Sequence, residues 1–446
     1  MMQDFCERWG NRRLASLFSE NKNSNTFFRE RNALQFKYGN IVAKKQYELT
    51  DDLVETYRKY TIVQPGDIMI NGLNLNYDFV TQRVAQVSQK GIITSAYIAL
   101  SPHPDVVSKY YLYYFKALDS IKAFNGMGTG IRLTLSFELL KSMRLPVPPR
   151  EEQDQIVRFL DWKVSSINNL INIKRKEIDE INTLKGTIIS HVVRQGLNRD
   201  IPMKFSGIEW LGDIPAHWVC TKIKRKCEQI GSGTTPSTGN AQYYNGDINW
   251  IQSGDLYKNH VVLSTVKHVS NLAIEECSAL SIYHAPFVVV AMYGASVGNA
   301  AVSQVNACVN QACCVLIPNR EVNIDFLLYW LMDCKQNFLQ QAVGGTQPNI
   351  SQGKIKDQIL LCPPYEEQQQ IVSCLNQKLS VLNNFINVKV CQIKELQELK
   401  TSLISNVVTG KIDVRGIDIP DYEFTEDVPD VDSKIDGEDE LSGQEG

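Results

Sequence analysis

The chain has 446 residues, 43% of them hydrophobic, which exceeds one typical domain and suffices for more than one buried core. It holds no apolar run of about 18 residues and no apolar stretch at its start (MMQDFCERWGNRR), which argues against a membrane span or secretion signal and predicts a soluble, cytoplasmic protein. The formal charge of −3 hides a division: residues 417–446 carry 12 acids against one lysine, a net of −11, leaving +8 on the body, a balance suited to a polyanionic partner.

Eleven cysteines without a CxxC pair argue against a disulfide framework, and six histidines, none spaced i, i+4, argue against a helical metal site. Reduced thiols and no metal are expected.

The first block, residues 1–146, opens on DFCERWGNRRLASLF, with Trp9 followed by Arg12 and Arg13. Strand-like runs VQPGDIMING and TSAYIAL and the amphipathic YYLYYFKALDSI follow, and the block closes through FNGMGTGIRLTLSFELLKSMRLPVPP. Residues 147–198 then read as a single helix. Pro-Pro starts it, Glu151 and Glu152 lie in the first turn where acids suit the helix dipole, and an apolar stripe runs through Ile156, Leu160, Ile167, Ile171, Ile178, Ile181, Leu184, Ile188 and Val192.

The second block, residues 199–361, contains GIEWLGDIPAHW, the basic run Lys222, Lys224, Arg225, Lys226, the loop GSGTTPS and the strand-like INWIQSGDL. APFVVVAMYGASVGNAAV, NQACCVLIP, the helix IDFLLYWLMDCKQNFL and the closing AVGGTQPNISQGKIKDQILLCPP complete it. Residues 362–415 form a second long helix with the stripe Ile371, Leu375, Leu382, Ile386, Ile393, Leu396, Leu399, Leu403 and Val407, and residues 416–446 have the polarity and charge of a disordered tail.

The two helical segments are an internal repeat. Pro148–Val193 and Pro363–Val408 are identical at 24 of 46 positions with a constant offset of 215 and no gap. Spacings of three, four and seven put one narrow seam on each helix, as in a coiled coil, and each helix would be roughly 65 Å long at about 1.5 Å per residue. The globules repeat more faintly, sharing a Gly-Thr turn, a polar stretch and a short apolar strand into Pro-Pro. The predicted fold is α/β (α+β): two globular domains separated by two long antiparallel coiled-coil helices, with a pseudo-twofold internal repeat.

This order of globule, helix, globule, helix, with PPxEEQxxIVxxL helices, resembles the specificity subunits of type I restriction-modification systems. GIEWLGDIPAHW, GSGTTPS, INWIQSGDL and GGTQPNIS match that family as well, so the resemblance covers nearly the whole chain. One departure is the first globule, which lacks a full copy of the GIEWLGDIPAHW lead-in; Trp9, Arg12 and Arg13 alone echo Trp218 and the Lys222–Lys226 run.

The resemblance implies a sequence-specific DNA-binding subunit whose two target-recognition domains read the halves of a bipartite, asymmetric double-stranded target. The helices would set the gap and dock two copies of an adenine-N6 methyltransferase subunit, with a restriction and translocase subunit completing the complex. S-adenosylmethionine, ATP and Mg would belong to those partners, with no cofactor in this chain. Two rigidly separated readers specify spacing as well as sequence, because a wrong gap is a register error.

Catalytic look-alikes fail on context. FNGMG at Phe124–Gly128 follows a helix, whereas a cofactor loop follows a strand, and CPPY at Cys362–Tyr365 lacks a side-chain acceptor for a target amine and has Val147-Pro148-Pro149-Arg150 as its counterpart. Neither block has room for a cofactor fold beside a recognition domain. The DNA-binding candidates are Arg12, Arg13, Gly128, Thr129 and Arg132 in the first globule, and Lys222, Lys224, Arg225, Lys226, Thr234, Thr235, Ser237, Gly345, Thr346 and Gln347 in the second. Arg132 and Gln347 have the donors for bidentate base contacts. Glu152, Gln153, Ile156 and Leu160, with Glu367, Gln368, Ile371 and Leu375, are the candidates for partner docking and helix packing. Competing readings are a fused methyltransferase or nuclease, a type II recognition subunit, and a coiled-coil adaptor that does not bind DNA.

Overall fold

The structure, a computed structural model, describes residues 9–37, 39–45, 48–76, 82–130, 133–198, 200–256, 260–344 and 348–426. It comprises two compact units, Met1–Lys176 with Lys389–Gly446, and Glu177–Val388. Two helices pass through both: Arg150–Gln195 and Tyr365–Val408, here the first and second long helix.

In the first unit the central sheet has the order Phe18–Glu20, Ile98–Pro102, Ile68–Ile70, Val84–Gln86, all antiparallel. One face is covered by the helix Ser108–Ser120, whose Tyr110, Tyr111, Tyr114 and Phe115 are buried with Phe18, Ile68, Ile70 and Leu100. The same core takes in Ile156 and Leu160 from the start of the first long helix and Ile404, Val407 and Val408 from the end of the second. The two helices therefore run in opposite directions here, and Lys400 Nζ, 3.2 Å from Asn168 Oδ1, crosses between them.

The second unit repeats this plan. Its sheet runs Cys227–Ser232, Cys313–Pro318, Phe287–Ala291, Ala300–Ser303, with Val261–Val262 added as a parallel edge. The helix Ile324–Asp333 covers it, burying Phe326, Leu327, Trp330 and Leu331. Ile189, Val192 and Val193 from the end of the first long helix join Ile371, Leu375 and Leu379 from the start of the second. Lys185 Nζ donates to Asn383 Oδ1 at 2.7 Å. Adding the offset of 215 to Lys185 gives Lys400, and to Asn168 gives Asn383, so the repeat extends to a single hydrogen bond between the helices.

Two expectations change. The apolar stripe is not buried throughout: Leu184 and Leu399, which occupy the same repeat position, are about half exposed, and the second-unit seam passes through Ile189 rather than Ile188. Burial concentrates where a globule covers the helices. The segment from residue 416 was expected to be disordered, yet its first part is docked on the first unit. Ile417 and Ile419 pack against the core, Gln155 Nε2 donates to the carbonyls of Val414 (3.1 Å) and Ile417 (2.8 Å), and Thr425 N–H donates to Ser165 Oγ at 3.2 Å. Apolar residues among the acids at Ile417 and Ile419 give this stretch something to bury. The remaining tail, residues 427–446, lies outside the described residues.

Candidate nucleic-acid interface

A short strand leads into each globule and pairs with the strand that leads out. Gly10–Arg13 pairs with Arg144–Val147, and Val219–Lys222 with Ile359–Cys362, both antiparallel. Trp9 and Trp218 stand immediately before these strands, and both are buried. Each indole Nε1 donates at 3.1 Å to the carboxylate in the first turn of the following helix, Trp9 to Glu152 and Trp218 to Glu367. This latch ties the entry of each globule to the start of the helix that follows it.

The residues expected to serve partner docking and helix packing are taken up by packing within each unit. Ile156, Leu160, Ile371 and Leu375 lie in the cores, and Gln153 and Gln368 are buried. Gln368 ties three backbone groups together: its Oε1 accepts from Asn323 N–H (2.8 Å), and its Nε2 donates to the carbonyls of Glu321 (3.0 Å) and Pro363 (2.9 Å). These side chains hold the unit together and leave little surface for another chain.

The basic run of the second unit is largely engaged. Lys222 and Lys224 pair with Asp357 at 3.4 and 2.8 Å, and Lys226 pairs with Glu321. Lys224 and then Lys222 hold the Asp357 carboxyl below the usual range, and Glu321 raises the Lys226 ammonium. Arg225 remains exposed in this run. Arg12 and Arg13 lie on an exposed strand, with Arg13 at the register position corresponding to Lys222.

The GSGTTPS loop leaves the edge strand Cys227–Ser232. Its Gly233 is dictated by packing, since an added Cβ would come within 1.7 Å of the Val309 carbonyl oxygen. Thr235 Oγ1 donates to Gln311 Oε1 at 2.5 Å, Thr234 is half-buried, and Ser237 is exposed.

A hairpin loop recurs in both units. In the first, Thr129 and Thr134 exchange backbone hydrogen bonds (3.1 and 2.9 Å), and Gly128 packs so tightly on the Leu133 carbonyl that a Cβ would lie 2.8 Å from its oxygen. In the second, Val343 and Asn349 exchange them (both 2.9 Å). Arg132, Gly345, Thr346 and Gln347, on the tips of these loops in sequence, lie outside the described residues.

Sequence reasoning passed over a second surface. Leu170, Ile173 and Leu399 of the first unit are each about half exposed, and so are Phe385, Val388 and Leu184 of the second. The offset of 215 maps each member of one set onto one of the other, and every pair is apolar. Comparing the repeats for exposed as well as buried apolar positions would have found it.

Among the described residues no group of His, Cys, Asp or Glu is arranged to hold a metal ion, and no helix is long and apolar enough to cross a membrane. Two repeated α/β units, each packed on the ends of two antiparallel helices, define a class of proteins built as a duplicated globule-and-helix scaffold. Residues 6–183 and 215–395 match the profile of the type I restriction modification DNA specificity domain, and the chain belongs to that family. It is 22% identical over 381 residues to the type I restriction enzyme MjaVIII specificity subunit of Methanocaldococcus jannaschii, covering 83% of this chain and 84% of that one. With the MjaIX specificity subunit of the same organism it shares 29% identity over 201 residues, 44% of this chain and 45% of the other. A solved chain described under complex assembly and conformational transition of the type I R-M system has the same fold: TM-score 0.61, 14% identity, 92% of this chain and 99% of that one. The chain is accordingly a DNA-binding specificity subunit and not an enzyme, with DNA and the modification and restriction subunits as its partners.

Proposed function

We propose that the chain reads a bipartite, asymmetric double-stranded DNA target, one half with each unit, and carries two copies of an adenine-N6 methyltransferase subunit and a restriction and translocase subunit. Residues 1–146 and 199–361 are the recognition domains, 147–198 and 362–415 the spacer helices, and 416–446 an acidic extension. S-adenosylmethionine, ATP and Mg are handled by the partner subunits, and the complex works in the cytoplasm.

The observation that carries this reading is the contrast within the repeat. The helices and the sheet order are shared between the units, while most of the sequence between the strands differs, as two readers of different half-sequences on a common scaffold require. The repeated apolar sets, Leu170, Ile173 and Leu399 against Phe385, Val388 and Leu184, support a partner that docks twice. DNA contacts are assigned to Arg12, Arg13, Gly128, Thr129 and Arg132, and to Arg225, Thr234, Thr235, Ser237, Gly345, Thr346 and Gln347. Lys222, Lys224 and Lys226 reach phosphates only by exchanging their acidic partners for them.

Genome-wide mapping of N6-methyladenine tests this, in a host without other such systems, with the chain co-expressed beside its methyltransferase subunit. A split motif of fixed gap that disappears without the chain is expected. No new methylation from an assembled complex would refute the reading.

A further inference from the structure

The loop 21–32 of the first unit leaves the edge strand Phe18–Glu20, and the GSGTTPS loop leaves Cys227–Ser232 at the same place in a sheet of the same order. Their sequences share no pattern, so the correspondence appears only in the fold. The loop is stiff. Asn25, 1% exposed, braces it from within: its N–H donates to the Tyr60 carbonyl (2.9 Å), its Nδ2 to the Glu30 carbonyl (2.8 Å), and its Oδ1 accepts from Glu30 N–H (3.1 Å). Phe28 is held at φ 52°, a left-handed conformation that bulky side chains avoid unless their surroundings enforce it.

The bracing determines what faces outward. The Glu30 carboxylate turns in, accepting from the N–H groups of Arg31 (2.9 Å) and Asn32 (3.0 Å), with Lys90 Nζ 3.7 Å away. Phe27, by contrast, is 78% exposed, the Arg29 guanidinium lies 5.3 Å from its ring centroid, and that of Arg31 lies 5.4 Å from the Phe28 ring. Neither guanidinium pairs with an acid among the described residues. An aromatic ring presented on a rigid loop and flanked by two arginines suits a polyanion with flat apolar bases. Such a ring can wedge against or stack on a base, and guanidiniums beside it can neutralise phosphates.

We propose that the loop 21–32 is a DNA-reading element of the first unit, in which Phe27 contacts a base and Arg29 and Arg31 the adjacent phosphates. This rests on the specificity-subunit reading above. The test uses the full chain assembled with its methyltransferase subunit, comparing wild type with Phe27→Ala, Phe27→Trp, Arg29→Ala and Arg31→Ala. Methylation is mapped first, and then binding to a duplex carrying the wild-type motif, and to a scrambled duplex, is titrated at several salt concentrations.

Phe27→Ala is expected to weaken motif binding by about 5- to 150-fold and to relax base preference within one half of the motif, and Phe27→Trp to restore both. Arg29→Ala and Arg31→Ala are expected to weaken binding to both duplexes and to lower the salt slope by about one each. Phe205→Ala, at an exposed position on the strand Met203–Phe205 of the second unit, should change neither. Wild-type affinity, motif and salt slope in Phe27→Ala and Arg29→Ala would overturn the proposal and leave the specificity-subunit reading intact. A wild-type complex that produces no split motif would remove both.

Discussion

Gln153 and Gln368 occupy the same place in two nearly identical EEQ sequences, yet the structure gives them different energetic weight. Gln368→Ala removes three hydrogen bonds and leaves the Asn323 N–H and the Glu321 and Pro363 carbonyls without their partner. At about 1 kcal/mol for each part-buried bond and up to about 2 for the buried one, the cost is roughly 3–4 kcal/mol. Gln153 makes one of these bonds, to the Pro148 carbonyl at 2.9 Å, and its buried Oε1 has no hydrogen-bond partner, so Gln153→Ala should cost roughly 1–2 kcal/mol. For a unit of about 200 residues these figures correspond to unfolding shifts of roughly 6–16 °C and 2–8 °C. Calorimetry of both variants, with hydrogen exchange to assign each transition to its unit, provides the comparison. Equal losses would refute the reasoning. Unchanged stability with methyltransferase binding abolished would refute it as well, and would return both glutamines to a docking role.

Asp357→Ala should release Lys222 and Lys224; if that edge reaches phosphates, binding to a non-target duplex strengthens and its salt slope steepens by about one to two, whereas an unchanged titration marks the edge as a solvated face. Ending the chain after Thr409 removes Val414, uncovers Ile404, Val407 and Val408 in the core it packs with, and strips the two carbonyls bound by Gln155, destabilising the first unit by roughly 4 kcal/mol in urea unfolding. Burial pushes the thiols of Cys308 and Cys314 up to about 12, so at pH 8 exposed Cys391 should be alkylated in the native chain, and those two only after denaturation. Phe385→Glu should weaken co-purification of the methyltransferase subunit at least tenfold without altering the unfolding profile; retained co-purification would separate that apolar face from docking.

The features easiest to read in sequence were those that act along one element. The long helices follow from the spacing of residues such as Ile156, Leu160, Ile371 and Leu375, and strands such as Phe287–Ala291 from continuous apolar runs bounded by turns. What sequence did not reveal depends on contacts between distant parts of the chain. Glu152 and Glu367 look like surface acids in a first helical turn, and only the arrival of Trp9 and Trp218 makes them latches. Lys222 and Lys224 read as a free basic run because Asp357 lies 135 and 133 residues away. Nothing in the sequence singles out Phe27, whose exposure follows from Asn25 bracing a loop whose second-unit counterpart shares no sequence with it.

The helix positions that the second globule's lead-in packs on are covered in the first unit by contacts of the same long-range kind. In the second unit, Leu211, Ile214 and Trp218 of the lead-in pack with Ile189, Val192 and Val193. The repeat counterparts of those three helix residues are Ile404, Val407 and Val408, and in the first unit they are covered by Val414, with Ile417 and Ile419 beside it. The carboxylates follow suit: Glu367 lies 2.8 Å from His217 of the lead-in, and Glu152 lies 4.0 Å from Arg415, beyond the second helix. The structural repeat is therefore a helix end, a lead-in, a globule and the next helix start, rather than the globule and helix into which the sequence divides. In the first unit the segment after Val408 covers the helix positions that the lead-in covers in the second, which gives its apolar residues something to bury among acids.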